Sequence, residues 1–288
     1  MKMGKSIRCA VTGAKGYVGS CIVNYLRKNG LVVYEMGRSS KESTPKKYFI
    51  PFSLEKEVSQ RIFRNVDVLI HCAWDFKQIE WEDIRKVNVE GSLRLFKAAK
   101  KAGVKKIIFI STMSAFDGCK SLYGKAKLEV EIQSRKLGVI SIRPGLVYDA
   151  QAKGMVGALQ RLVSISTVLP IVARNQILYL CHSEDLSRLV LKLTKTKANI
   201  LKPIVAANEN GLTLKQILRK LAEAKGKKPV FIPVPSWVVL VALKIVEKLG
   251  IKLRIKSDSL TGLLYADTNP DFTETRKTGV KFREFKVH

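Results

Sequence analysis

The chain has 288 residues, 46% of them apolar, five cysteines and a formal charge of +28. The length suits one α/β unit plus a small lobe, and no repeat or low-complexity run departs from a globular composition. Cys9, Cys21, Cys72, Cys119 and Cys181 lack ligand spacing, which argues against a thiolate metal centre; they read as reduced thiols of a cytoplasmic protein.

Residues Met1 to Arg8 are too short for a signal peptide. The β-rich segment Ile7 to Val11 predicts a buried strand, and it runs into Thr12-Gly13-Ala14-Lys15-Gly16-Tyr17-Val18-Gly19 and then a helix over 17–29. This strand–turn–helix order is what a phosphate-binding turn requires. Gly13 permits the tight turn, Gly16 lets backbone approach a pyrophosphate, and Gly19 lets helix and strand pack closely. The spacing is GxxGxxG rather than GxGxxG; the bland alternative is a glycine-rich turn with no ligand. The helix N-terminus would offer free N–H groups to phosphates.

A second strand over 31–36 ends in Gly37-Arg38-Ser39-Ser40. An NAD site usually carries an acid there for the ribose 2′-hydroxyl; Glu35 is two residues early, and Arg38 with Ser39 suits a 2′-phosphate. The expectation is NADP, with NAD as the alternative and a solvated surface Arg38 as the bland one. Further helices are expected near 55–64, 80–102 and 122–137, and further strands near 67–72, 106–111 and 139–143. The alternation predicts a Rossmann-type, doubly wound parallel sheet.

After the apolar run Ile107 to Ile110 come Ser111, Thr112 and Ser114, hydroxyls at the strand end where ligand sites open in such sheets. Next stand Tyr123 and Lys127, four apart and so on one helix face. A phenol is a poor base at its free pKa near 10, and a neighbouring ammonium would favour its ionised form. The pair reads as proton-transfer machinery for redox chemistry at a carbonyl or carbinol.

Beyond residue 150 the alternation loosens. Helices are expected over 154–166, 184–193 and 214–224, the last started by Thr213, with short strands at 178–180, 204–206 and 231–235. The division this predicts is a dinucleotide-binding domain over 1–150, with 176–206 returning to it, and a smaller C-terminal substrate lobe from 151–175 and 207–288. Trp237 to Ile251 is almost continuously apolar and is followed by Lys252, Arg254 and Lys256. It is too short and too charged, with Lys244 and Glu247, to span a bilayer. It reads as a buried lobe helix or, alternatively, as an interfacial helix touching membrane and presenting a lipid-linked sugar.

Taken in order, these segments resemble the extended short-chain dehydrogenases/reductases of the NAD(P)-dependent epimerase/dehydratase type, which mostly act on nucleotide sugars. The glycine turn, Asp67-Val68-Leu69-Ile70-His71-Cys72-Ala73, Asn88-Val89-Glu90-Gly91-Ser92, Ser111-Thr112, Tyr123 with Lys127, Arg143-Pro144-Gly145 and His182-Ser183-Glu184-Asp185-Leu186 carry the likeness over residues 5–190. The resemblance implies that Tyr123 is the general acid/base, Lys127 its partner and a donor to the nicotinamide ribose. It further implies that Thr112 or Ser111 orients the substrate oxygen; one alignment puts that slot on Met113. Ala73 and Trp74 would border the cofactor, and Pro144 and Gly145 would line its nicotinamide end. Ser53-Leu54 stands where relatives often have Asp-Leu near the adenine.

Met113-Ser114 replaces the Asp-Glu that dehydratase relatives carry after the catalytic Thr, which argues against dehydration. An extra acid/base pair from Cys119 and His182, as 3,5-epimerases need, is disfavoured because His182 falls in a structural motif. What remains is NADP-dependent reduction of a 4-keto nucleotide sugar or lipid-linked sugar, or 4-epimerisation with retained cofactor. By resemblance, the helices over 80–102 and 122–137 would pair in a homodimer. The charge of +28 attracts polyanions, so a non-catalytic NADP sensor and an RNA- or membrane-binding scaffold on the same fold are the competing classes. No aromatic RNA-binding signature stands out, so nucleic acid is the weaker of those partners.

Overall fold

A computed structural model describes residues 6–39, 45–151, 153–172, 175–198, 200–249, 251 and 256–287. The first half alternates as the sequence predicts: β1 (Arg8–Thr12), α1 (Tyr17–Lys28), β2 (Val32–Gly37), β3 (Phe49–Pro51), β4 (Val68–His71), α2 (Trp81–Ile84), α3 (Gly91–Lys101), β5 (Lys106–Ile110), α4 (Leu122–Ser134), β6 (Ile140–Pro144) and β7 (Leu146–Tyr148). There follow α5 (Gly154–Ile165), β8 (Val168–Ile171), β9 (Ile177–Leu178), β10 (Leu180–His182), α6 (Ser183–Lys195), β11 (Ile204–Ala206), β12 (Leu212–Thr213), α7 (Leu214–Glu223), β13 (Val230–Pro233), α8 (Ser236–Lys248), α9 (Ser257–Leu264) and α10 (Thr273–Thr278).

Seven strands form one sheet in the order β11-β6-β5-β4-β1-β2-β3, every neighbour parallel. Strand order reverses between β1 and β4, so the loops after these strands splay apart and leave a crevice at their carboxyl ends. The central strands are apolar on both faces because helices cover both sides. Ile22, Val23 and Leu26 of α1 lie at helical spacing and bury against the β1 side, where α6 also packs. On the other face α3 and α4 bury Leu95, Phe96, Ala126 and Val130.

A separate apolar cluster gathers α5, α7 and α9 with β8, β9 and β10. Here α7 starts at a capping box, Thr213 with Gln216, and buries Leu214, Ile217, Leu218 and Leu221. The predicted strand at 204–206 joins the main sheet as β11, whereas β13 pairs with β8 outside it.

Four expectations are corrected. The helix expected near 55–64 is a turn followed by one 3-10 turn, Gln60–Phe63. Glu55, Lys56, Glu57, Gln60 and Arg61 are exposed, so no continuous apolar stripe exists to dock a longer helix. The helix over 80–102 is interrupted by a π-helical segment at Arg85–Glu90. The strand at 178–180 is two strands, β9 and β10, divided at Tyr179. And α8 is not a buried helix: none of its residues is fully buried. Lys252 and Arg254, and Ser40, lie outside the described residues. No helix among the described residues is long and apolar enough to cross a membrane.

Candidate active site

The turn after β1 is built for close approach. Gly13 has φ +63°, and a Cβ there would stand 2.8 Å from the Ala73 nitrogen; a Cβ on Gly19 would stand 2.2 Å from the Gly13 oxygen. Both positions therefore accept only glycine, the first by conformation and space, the second by space. The Gly16 amide donates to the Gly13 carbonyl at 2.8 Å. Gly16 caps α1 without a side-chain bond, and no acid stands in the first turn, so the helix N-terminus keeps its positive end for an anion.

This turn forms one wall of a cavity of about 650 Å³, which also reaches Arg38, Ser39, Ala73, Trp74, Ser111, Thr112, Tyr123, Lys127, Pro144 and Gly145. Lys15, Tyr17 and Val18 line it as well. The glycine turn, the β2-end pair, Ser111, Thr112, Tyr123 and Lys127 thus open on one space, whereas Met113 and Ser114 do not line it. Cys119 and His182 do not: His182 instead accepts from the Glu184 amide as the N-cap of α6. Asp185, also in that motif, is buried and clasped by Arg283 at 2.7 Å and Arg188 at 3.1 Å.

At the far end of β2, Glu35 is buried in an ion pair with Arg27 of α1 at 2.7 Å, so its carboxylate is engaged away from a ribose. Arg38 and Ser39 are exposed, and Lys15 donates to the Ser39 hydroxyl at 2.9 Å. The rim there is cationic and hydroxylic.

Helix α4, which carries Tyr123 and Lys127, is fixed at its N-terminus. Ser121 caps it, accepting from the Gly124 amide at 3.0 Å. Asp258 of α9 accepts from the Leu122 and Tyr123 amides at 2.7 and 3.1 Å, a carboxylate at a helix start where the dipole favours it. The Tyr123 ring lies 5.6 Å from Trp74, edge on, and 5.7 Å from Phe76. Burial pushes the phenol above its ordinary value; a hydrogen bond with the Thr112 hydroxyl pulls the other way. Ser111 is buried, and its hydroxyl has no partner among the described residues.

Lys127 is 2% exposed. Its ammonium donates to the Ile110 carbonyl at 2.7 Å and lies 4.2 Å from the Trp74 ring and 4.5 Å from the Phe109 ring. Burial, only partly offset by Cys72 and Glu131, lowers its pKa to about 7. The sequence suggested that this ammonium draws the phenol down; burial instead pushes the phenol up and the ammonium down.

Beneath the site runs a buried hydroxyl–imidazole chain that the sequence did not reveal. Thr12 Oγ1 accepts from the Cys72 and Ala73 amides at 3.1 Å and lies 2.7 Å from His71 Nδ1. His71 Nε2 lies 2.9 Å from the Ser92 hydroxyl, which donates to the Asn88 carbonyl at 2.6 Å. Counting protons, Thr12 donates to Nδ1 and Nε2–H donates to Ser92, so the ring is neutral; burial and Lys127 hold its pKa well below the ordinary value. Asn88 in turn accepts from the Asp75 amide at 2.7 Å and donates to its carbonyl at 3.0 Å. The π-helical segment turns Asn88 toward the loop that carries Trp74 and Phe76, and π segments are frequent at such positions.

A parallel sheet reversing at β1/β4, with a glycine cradle at the reversal, defines a dinucleotide-binding α/β enzyme fold. A profile of the NAD dependent epimerase/dehydratase family matches residues 9–205, and the chain belongs to that family of enzymes. It is 28% identical to UDP-glucose 4-epimerase of Vibrio cholerae over 297 residues, covering 92% of this chain and 88% of that protein. It is 25% identical to the ceramide reductase of Caulobacter vibrioides over 252 residues, covering 83% and 77%. The crystal structure of UDP-glucose 4-epimerase with UDP-glucose from Thermotoga maritima superposes with a TM-score of 0.67 at 24% identity, covering 94% of this chain and 99% of that one. At that identity the likeness is one of fold.

Proposed function

We propose that the protein is an NADP-dependent oxidoreductase that reduces a carbonyl on a nucleotide-linked or lipid-linked sugar, with Tyr123 as general acid. The observation that carries this reading is the convergence of Tyr123, Lys127, Thr112 and the unpartnered Ser111 hydroxyl on the cavity that holds the glycine cradle. The residues fit a dinucleotide: glycines let the turn after β1 pack tightly, and the α1 N-terminus that it presents carries neither a side-chain cap nor an acid. The cofactor, when bound, supplies a hydride to the carbonyl carbon. Tyr123 gives its proton to the carbonyl oxygen, and burial favours that protonated start. Thr112 and Ser111 orient the oxygen. Lys127 holds the ribose and restores the phenol's proton balance. Trp74 and Phe76 flank the Tyr123 ring.

Arg38 and Ser39 favour NADP over NAD, since a guanidinium matches a 2′-phosphate and Glu35, the acid of β2, is already paired with Arg27. A second reading, 4-epimerisation with retained cofactor, draws support from the Vibrio relative. The Caulobacter relative extends the candidate carbonyls to lipids.

Coenzyme oxidation should be followed spectrophotometrically with NADPH and NADH against 4-keto nucleotide sugars and long-chain keto lipids. Tyr123→Phe should lower turnover roughly 10²–10⁴-fold with coenzyme affinity unchanged. Full activity in that variant would remove Tyr123 from the chemistry. Interconversion of 4-hydroxy epimers without net coenzyme turnover would favour the second reading.

A further inference from the structure

Helix α8 has two faces. Val239, Leu240 and Leu243 pack on the lobe's apolar cluster. Trp237, Val241, Ile245 and Leu249, each four residues on from the last, face outward at 67, 49, 54 and 69% exposure. Val238 and Ala242 widen that stripe, and exposed Lys244 and Lys248 edge it on one side. The ribbon that leads into α8 continues the pattern. Val168 on β8 and Val230 and Ile232 on β13 are exposed, just after exposed Lys225 and Lys228. An apolar stripe this long, bordered by lysines, is not a solvated helix surface; it has the build of a helix lying in a lipid interface.

Helix α8 is tied to the mouth of the cavity through the start of α9. Glu247 of α8 accepts from the Ser257 amide and hydroxyl at 2.7 Å. The adjoining Lys256 donates to the Phe76 carbonyl at 2.6 Å, and the Phe76 ring lies against Tyr123. Phe76, which lines the cavity, and nearby Ile79 are themselves exposed apolar side chains, at 62% each.

We propose that α8 docks on an anionic membrane leaflet, apolar stripe in the acyl boundary and lysines at the headgroups, placing the cavity mouth at the lipid surface. The occupant follows from charge: a chain of net +28, with lysines flanking the stripe, complements an anionic surface and repels a second copy of itself. Docking does not depend on the catalytic reading, because it is measured without substrate or coenzyme.

The test is sedimentation with vesicles of phosphatidylcholine, alone and mixed with phosphatidylglycerol. The protein should pellet with the mixed vesicles, less with the neutral ones, and less as salt rises. Trp237→Glu and Ile245→Glu should each weaken binding at least roughly tenfold while leaving the thermal melt and NADPH binding as in the parent. Absence of vesicle binding, or unchanged binding in both variants, would overturn the proposal. So would a dimer that both variants convert to monomer, since a second copy would then cover the stripe.

Discussion

Replacing Lys127 by methionine should change the pH dependence of stability in a way that reports the burial of the ammonium. Lys127 is 2% exposed and its pKa is lowered from 10.5 to about 7. That displacement corresponds to roughly 5 kcal/mol in favour of the neutral amine inside the fold. Below about pH 7 folded and unfolded chains both carry the proton, and the full cost of burying the charge opposes folding. Between about 7 and 10.5 the folded chain has released a proton that the unfolded chain keeps, so stability rises by about 1.4 kcal/mol per pH unit. Methionine carries no such cost. It forfeits the bond to the Ile110 carbonyl and the ring contacts, a pH-independent loss of about 1–2 kcal/mol. Urea unfolding of both proteins from about pH 6 to 9.5 should therefore show the methionine variant ahead at the acid end. That advantage should shrink by roughly 3 kcal/mol across the range. Parallel stability curves would refute the reasoning, because they would mean that Lys127 titrates alike in both states.

Gly19→Ala should abolish measurable NADPH binding by fluorescence and lower the melting temperature, since its methyl would stand 2.2 Å from a backbone oxygen that cannot swing away. Arg38→Ala should weaken NADPH binding roughly 10–100-fold, the worth of a lost charge-assisted contact, and leave NADH binding nearly unchanged. Equal losses for both coenzymes in a titration would remove Arg38 from the 2′-phosphate site. Asp258→Ala leaves two amides at the start of α4 without their carboxylate. It should cost about 1–2 kcal/mol by urea unfolding.

What the sequence made legible was local. The strand, glycine turn and helix over 7–29 sit in consecutive residues, and Tyr123 and Lys127 share a helix face by spacing alone. The order of motifs along the chain then placed each on its strand end. What stayed hidden joins distant residues. Asp258 reaches α4 from 135 and 136 residues away. Thr12, His71 and Ser92 each stood in a separate motif, but nothing in the sequence joined them into one chain of contacts. Phe76 against Tyr123 follows from the Asn88 latch on Asp75, and no periodicity encodes a π-helical turn. The 55–64 segment misled because Val58, Ile62 and Phe63 mimic helical spacing while the residues between them are charged or polar and exposed.

The carboxylate of α9 at the head of α4 has a practical bearing on engineering. A donor lobe grafted from a relative to change the substrate would bring its own residue to that spot. Unless the graft supplied an acid at matching height, the first turn of the proton-donating helix would lose its tether, and turnover would fall for every substrate tried. The outer elements of the chain and the helix that carries Tyr123 are thus joined through one side chain, Asp258.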